Sequence, residues 1–144
     1  MSESILVGYD DSEGGQRAVD CAADFARAKG VPLVVAHVIE WSPYTFHTVQ
    51  ELEERHKRRE EELARAREQL LKPVTDRLSA RGLSVEGEIR HGHAAETLVS
   101  IAQEKNATHI FIGRRGVSKV KSMLFGSVSG SLVQIAPVPV TVVP

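Results

Sequence analysis

Three glycines and a serine form the segment whose residue types and spacing best suit ligand chemistry. Gly113 and Gly116 follow a short apolar run, and Gly126 and Ser127 come ten residues later. Glycine lets backbone amides approach a ligand with no Cβ in the way, and a helix that begins at Gly126 would direct unpaired N–H groups to the same point. The stretch also contains four basic residues, Arg114, Arg115, Lys119 and Lys121. The pattern predicts a phosphate site, although a flexible turn followed by an ordinary helix cap would use the same residues.

A carboxylate, Asp10, follows the first apolar run of the chain. At the end of a parallel strand such a group can accept hydrogen bonds from sugar hydroxyls. The alternative is a structural role, in which Asp10 joins Asp11 and Ser12 in capping the helix that follows. Both interpretations are compatible with the sequence.

The histidines are weaker candidates for chemistry. His91 and His93 flank a glycine, which favours a turn, and no cysteine or further histidine lies nearby to complete a metal site. His37 and His109 lie inside predicted strands, where we expect packing roles.

Five short apolar runs, separated by segments of helical period, are the elements that would position these groups. The predicted strands are Ile5 to Tyr9, Leu33 to Ile39, Leu83 to Ile89, Thr108 to Ile112 and Val138 to Val143. Leu83 to Ile89 alternates with polar residues, as an edge strand does, whereas the other four are apolar almost throughout, as strands covered on both faces are. The alternating order predicts an α/β fold, a doubly wound three-layer sandwich with a five-stranded parallel sheet, Rossmann-like, in one domain over residues 1–144.

The helical segments show apolar stripes of helical spacing. The first should start at Ser12 and end before Gly30, and Pro73 should kink or restart the second. The stripes are Ala18, Val19, Ala22, Ala23 and Ala26; Leu63, Ala66, Leu70, Val74 and Leu78; Ala95, Leu98, Val99 and Ala102; and Val128, Leu132 and Ile135. Residues 51–68 are mostly charged with mixed signs, which favours a solvated helix face over a partner-binding helix. The aromatic connection before them, Trp41 to Phe46, could cover the sheet or line a pocket.

Composition excludes several classes of protein. The 144 residues are 42% hydrophobic and 26% charged, with a formal net charge of −1, so neither a disordered chain nor a strongly basic nucleic-acid or membrane binder is indicated. No apolar run approaches the roughly 20 residues that cross a bilayer, and no signal-peptide pattern opens the chain. The single cysteine, Cys21, forms no internal disulfide, fits a cytoplasmic location and is expected to be a small buried apolar group.

Two common nucleotide motifs are missing from this sequence. The glycine segment lacks the G-x4-G-K-[ST] arrangement of a P-loop, and no G-x-G-x-x-G follows the first strand. P-loop NTPase and dinucleotide-dependent dehydrogenase interpretations are therefore disfavoured.

The sequence resembles the universal stress protein family, in its nucleotide-binding class. The family's G-x2-G-x9-G-[ST] motif is matched by Gly113, Gly116, Gly126 and Ser127, and the whole chain follows the family's order of elements. Two positions depart from the family pattern: Arg114 stands where a small residue is commoner, and Thr108-His109 replaces an acidic start of the fourth strand.

The resemblance implies a binding site for ATP, ADP or AMP. In it Asp10 would hold the ribose or adenine side and Val38 would contact adenine. The phosphates would be bound by Gly113, Gly116, Gly126 and Ser127, with Val128 following in the same turn. Mg²⁺ or Mn²⁺ would be bound through the phosphates. Arg114 would either strengthen phosphate binding or close the pocket.

The expected function is that of a cytoplasmic, ATP-binding regulatory protein whose nucleotide state sets the surface of the 114–125 loop for a client protein. A slow ATPase and a nucleotide-free interaction module are the alternatives; no evident catalytic base accompanies the glycine segment. The apolar terminal strand from Val138 would expose an edge, and members of the resembled family often dimerise through it, so a homodimer is expected.

Overall fold

A five-stranded parallel sheet is the framework of the protein. The computed structural model describes residues 2–40, 48–116 and 126–144. The strands are β1 (Ser4–Gly8), β2 (Leu33–Glu40), β3 (Val85–Gly92), β4 (Ala107–Gly113) and β5 (Val140–Val143). Their order in the sheet is β3-β2-β1-β4-β5, and every neighbouring pair is parallel. The predicted doubly wound α/β architecture is confirmed.

Helices cover both faces of this sheet. They are α1 (Glu13–Lys29), α2 (Val49–Ala66), α3 (Lys72–Ala80), α4 (Ala94–Glu104) and α5 (Ser127–Ile135), with a π-helical turn at Arg67–Leu71 between α2 and α3. One core lies between the sheet and the helices α1 and α3, and a second lies between the sheet and α4 and α5. The central strand β1 contributes alternate residues to each, Ile5 and Val7 to the first and Leu6 to the second, all fully buried.

The direction of winding reverses at β1. The chain moves from β1 through β2 to β3 on one side, and β4 and β5 lie on the other. In such sheets ligands bind at the carboxyl ends of the strands beside the reversal. Two segments meet there: one begins at Tyr9, directly after β1, and the other continues from Gly113, the last residue of β4.

The ends of α1 are fixed by the residues that the sequence indicates. Ser12 is the N-cap, and its hydroxyl accepts the Gly15 N–H at 2.9 Å. Gly30 ends the helix in the left-handed conformation, with φ of 70°, and its N–H donates to the carbonyl oxygens of Ala26 and Arg27. A glycine adopts this conformation without a Cβ clash.

The long charged segment folds as α2, which buries no residue completely. Thr48 and Glu51 form a reciprocal capping box at its start. Pro73 lies in the first turn of α3, just after the π-helical turn, and the backbone stays helical there, so the interruption expected at Pro73 is this π-helical turn. The aromatic connection Trp41 to Phe46 lies outside the described residues.

Some predictions of boundaries and burial are wrong. β3 runs to Gly92, because His91 and Gly92 pair in register with Ile39 and Glu40 of β2. Cys21 is exposed, since it falls beside the apolar stripe of α1 and not within it. Ile135 is 46% exposed at the end of α5.

Candidate functional site

A cavity of about 320 Å³ opens at the carboxyl ends of β1, β2 and β4. Its size lies at the lower end of the roughly 300–1,000 Å³ typical of small-molecule sites. Its lining residues are Gly8, Tyr9, Asp10, Gly15, Ala36, His37, Val38, Glu40, Ala94, Leu98, Ile112, Gly113, Arg115, Gly116, Gly126, Ser127, Val128 and Ser129. Seven of the eight residues predicted from sequence line it, and Arg114 does not.

The Asp10 carboxylate lies between the start of α1 and the glycine segment. Its Oδ1 accepts hydrogen bonds from the Ser12 N–H at 3.1 Å and from the Ser12 hydroxyl at 2.5 Å. Its Oδ2 lies 2.6 Å from the point that a Cβ on Gly116 would occupy. Asp10 therefore supports the N-cap of α1 through Ser12, as the structural interpretation predicts, and it also lines the cavity.

The end of β4 packs against the first turn of α1 through backbone alone. A Cβ on Gly113 would lie 2.9 Å from the Gly14 carbonyl carbon and 3.1 Å from the Gly15 nitrogen, and one on Gly14 would lie 3.0 Å from the Arg115 oxygen. Real Cβ contacts are essentially never shorter than 3.0 Å. The two chain segments approach this closely only because neither carries a side chain here.

The N-terminus of α5 faces the same cavity. Gly126 is its N-cap in extended conformation, and no side chain of the described residues caps this end. The Arg114 carbonyl fixes where the helix begins, since it accepts the Gly126 N–H at 2.7 Å and the Ser129 hydroxyl at 2.8 Å. The first N–H groups of a helix have no partner within it, so this end offers donors and a positive dipole end to an anion.

The two neighbouring arginines differ in position. The Arg114 side chain is exposed, and its contribution is the backbone carbonyl that holds α5. Arg115 is half-buried and lines the cavity. The residue next to the predicted Arg114 is therefore the arginine that lines the cavity. Lys119 and Lys121 lie outside the described residues.

Part of the cavity wall is apolar. Val38 packs against the core formed with α4 and α5. The other apolar residues of the wall are Ala36, Leu98, Ile112 and Val128. Apolar side chains with few polar groups among them suit an aromatic ring.

Polar groups frame the rim of that wall. The His37 Nδ1 lies 2.7 Å from the Tyr9 carbonyl oxygen, and because a carbonyl can only accept, this nitrogen carries a proton. Glu40, at the end of β2, accepts the Ala94 N–H at 3.3 Å and so caps α4 from another element. Burial and a hydrogen bond from its hydroxyl to Asp11 raise the pKa of Tyr9, which keeps the phenol neutral.

Sequence analysis missed several residues that build the site. Gly14 and Gly15 could have been found, because two adjacent glycines in the first turn of a helix lower its stability and indicate another role. Ser129 falls one turn into α5, and its buried hydroxyl is explained only by the position of Arg114. Glu40 follows a predicted strand and gives no local signal, because its partner Ala94 lies 54 residues away.

The remaining candidates lie apart from the cavity floor. His91 is part of β3 and its Nε2 is 3.3 Å from Glu62 of α2, while His93 is the N-cap of α4. A Cβ on Gly92, between them, would collide with the Thr97 hydroxyl, so this glycine is required by packing. The described residues contain no cluster of three or more His, Cys, Asp or Glu suited to a metal ion, and no helix among them is long and apolar enough to cross a membrane.

Known proteins share both this sequence pattern and this fold. A universal stress protein of Mycolicibacterium smegmatis is 37% identical over 147 residues, which cover 96% of this chain and 47% of that protein. One from Thermus aquaticus is 32% identical, with 99% of both chains covered. The chain thus spans about half the length of the first relative and nearly all of the second.

Solved structures of this family resemble the fold. UspA from Lactobacillus plantarum superposes with a TM-score of 0.84 at 23% identity, over 99% of this chain and 98% of that one. A universal stress protein in complex with cAMP gives 0.66 at 24% identity, covering 99% and 96%, and one from Archaeoglobus fulgidus in complex with dAMP gives 0.67 at 20%, covering 100% and 98%. The sequence profile of the universal stress protein family matches residues 1–144. The chain therefore belongs to the universal stress protein family.

Proposed function

We propose that this chain binds an adenine nucleotide, with ATP as the main ligand, and acts as a nucleotide-dependent regulatory protein. The observation that carries this proposal is a cavity that combines apolar lining residues with a helix N-terminus beside a glycine segment from which side chains are sterically excluded. A nucleotide needs both, since it has a flat base and an anionic tail.

Each end of the nucleotide has its partners on the described residues. The base lies against Val38 and the apolar wall, and the ribose hydroxyls donate to Asp10. The phosphates accept from the backbone of the segment that begins at Gly113, from the first turn of α5 at Ser127 and from Arg115. A Mg²⁺ or Mn²⁺ ion would be carried on the phosphate oxygens, since the described residues offer no acidic cluster of their own.

The ligands of two structural neighbours support this choice of base. They were solved with cAMP and with dAMP, both adenine nucleotides. Neither carries a triphosphate, so the preference for ATP rests on the anion-binding end of the cavity.

We propose binding without efficient turnover. Asp10 lies against Gly116 in the glycine segment, and its Oδ1 accepts hydrogen bonds from the Ser12 N–H and hydroxyl, which gives it a structural role. Efficient hydrolysis requires a group that positions or activates water. Turnover faster than about 1 per second, the low end for enzymes, would contradict a regulatory binder. The loop surface expected to respond to the nucleotide, 114–125, lies mostly outside the described residues.

Native mass spectrometry and calorimetry test the site together. The purified protein should retain an adenine nucleotide, and Mg-ATP should bind the emptied protein with an affinity that Asp10→Ala reduces at least tenfold, about 1.4 kcal/mol. Asp20→Ala is the matched control, because Asp20 is an exposed α1 residue paired with Arg77. Equal losses in both variants, or no binding by the wild type, would refute the assignment.

We also propose that the chain works in the cytoplasm as a homodimer joined along β5. This strand is a sheet edge that pairs only with β4 among the described residues, and all four of its residues are half-buried. Val133 and Ile135 on α5 are 47% and 46% exposed. Light scattering should give twice the chain mass at micromolar concentration, and Val142→Pro, which removes a backbone donor from the open edge of β5, should shift it toward the monomer.

A further inference from the structure

A second cavity, of about 460 Å³, adjoins the nucleotide cavity and has no role in the function proposed above. It is an open groove between the first turn of α4 and one face of α5, and we call it the α4–α5 groove. Its lining residues are Glu40, His93, Ala94, Ala95, Glu96, Ser127, Val128, Ser131, Gln134 and Ile135.

The α4–α5 groove is continuous with the nucleotide cavity. Glu40, Ala94, Ser127 and Val128 line both. From Ser127 the groove follows α5 for two turns to Ile135, a length of about 12 Å at 1.5 Å per residue. It therefore begins at a helix end to which the proposed function assigns phosphate binding.

The chemistry of the groove differs from that of the phosphate end. Its side chains present two carboxylates, two hydroxyls, an imidazole and an amide, from Glu40, Glu96, Ser127, Ser131, His93 and Gln134. Among these described lining residues there is no lysine or arginine. The two carboxylates disfavour a further anionic group, whereas all of these side chains can accept hydrogen bonds from hydroxyl groups.

We propose that the α4–α5 groove binds a polyhydroxylated, sugar-like group attached to the terminal phosphate of an adenosine diphosphate. This inference rests on the proposed adenine-nucleotide site, because that site anchors the diphosphate at Ser127. The uncharged hydroxyl-bearing group then extends along α5 past Ser131 toward Gln134, with Glu96 across the groove. The site thereby accepts nucleotides that are longer than its first cavity.

The test compares ADP with adenosine 5′-diphosphoribose by calorimetry, in the wild type and in two α5 variants. Ser131→Trp fills the groove, and the control is Ser100→Trp on α4, since Ser100 is also an exposed serine and does not line the groove. Ser131→Trp should lower the affinity for the diphosphoribose about tenfold relative to ADP, the equivalent of one or two hydrogen bonds, and Ser100→Trp should leave that ratio unchanged. Gln134→Ala, a milder change, should lower the ratio in the same direction.

The outcomes separate this inference from the proposed function. If ADP binds all variants equally and Ser131→Trp leaves the ratio at its wild-type value, the groove assignment is wrong and the nucleotide site stands. If neither ligand binds the wild type, both proposals fall. A folded Ser131→Trp protein is recognised by unchanged ADP binding, and Gln134→Ala decides the question if Ser131→Trp does not fold.

Discussion

Asp10 Oδ2 lies 2.6 Å from the position that a Cβ on Gly116 would occupy. The other oxygen of this carboxylate is held by the backbone N–H and hydroxyl of Ser12, which caps α1. A movement of Asp10 away from residue 116 would disturb these hydrogen bonds at the start of the helix. Gly116 and the Asp10 carboxylate thus lie against each other, although 106 positions separate them in the chain.

Gly116→Ala should therefore weaken ATP binding at least tenfold, about 1.4 kcal/mol, because the new methyl group displaces the Asp10 carboxylate. Gly87→Ala is the control, since a Cβ there meets only ordinary contacts at 3.5 Å, on strand β3. Calorimetry on both variants measures the effect, and equal affinities would show that the carboxylate has no part in binding.

Gly113→Ala should act on folding before it acts on binding. Its Cβ would meet the backbone of Gly14 at 2.9 Å, and backbone cannot rotate away as a side chain can. We expect the free energy of unfolding to fall by about 1–3 kcal/mol, the usual cost of overpacking. Urea denaturation measures this change. Gly126→Ala, whose nearest contacts are 3.4 Å, should lose less, and the reverse order would contradict the contact between β4 and α1.

Arg115→Ala should weaken the binding of ATP more than that of adenosine, because Arg115 lines the cavity and the proposed function assigns its charge to the phosphates. A charge-assisted hydrogen bond contributes about 1.5–3 kcal/mol, which corresponds to tenfold or more. Arg114→Ala supplies the matched control, with an exposed side chain one residue away. A larger loss at Arg114 would support the original sequence-based choice.

Tyr9 should make the protein less stable in alkali. Burial and the hydrogen bond to Asp11 raise its pKa in the folded state above the value near 10 of the unfolded chain. Above pH 10 the unfolded state therefore binds fewer protons, and stability falls by up to about 1.4 kcal/mol per pH unit. Denaturation between pH 9 and 11 should show a steeper fall in the wild type than in Tyr9→Phe; parallel curves would assign the loss to other groups.

His109 should make the protein less stable as the pH falls, whereas Tyr9 does so as the pH rises. Burial and the nearby charge of Lys29 lower its pKa in the folded protein, so the unfolded state binds more protons as the pH falls below about 6.5. The wild type should lose more stability than His109→Asn between pH 7 and 5. Each variant is compared with its own value at pH 7, since the substitution also removes the 2.7 Å contact with Thr141 and the stacking on Phe111.

The strand pattern and the glycine spacing predicted the sheet and the position of the cavity because both depend on local sequence. Apolar β-branched runs specify buried strands, and Gly126 marks a helix start, wherever the rest of the chain lies. The different burial of Arg114 and Arg115 was not accessible in this way, because it depends on where α5 packs against this segment, through hydrogen bonds from Gly126 and Ser129 to the Arg114 carbonyl.

Contacts distant in sequence account for the other misses. Gly14 and Gly15 belong to the site only because β4 ends against them, and Glu40 matters because α4 begins beside it. Cys21 was assigned to the interior from its apolar neighbours, and a shift of one position around the α1 axis, about 100°, separates it from the buried face.

The π-helical turn at Arg67–Leu71 amounts to one additional residue inside a helix that would otherwise run straight from Val49 to Ala80. Deleting a single residue there would restore a regular α-helix and rotate α2 by about 100° about its axis relative to α3. Leu63 and Ala66 would turn away from the sheet, and charged neighbours would face β3 in their place. The additional residue therefore keeps the apolar faces of α2 and α3 on the same side of the helix.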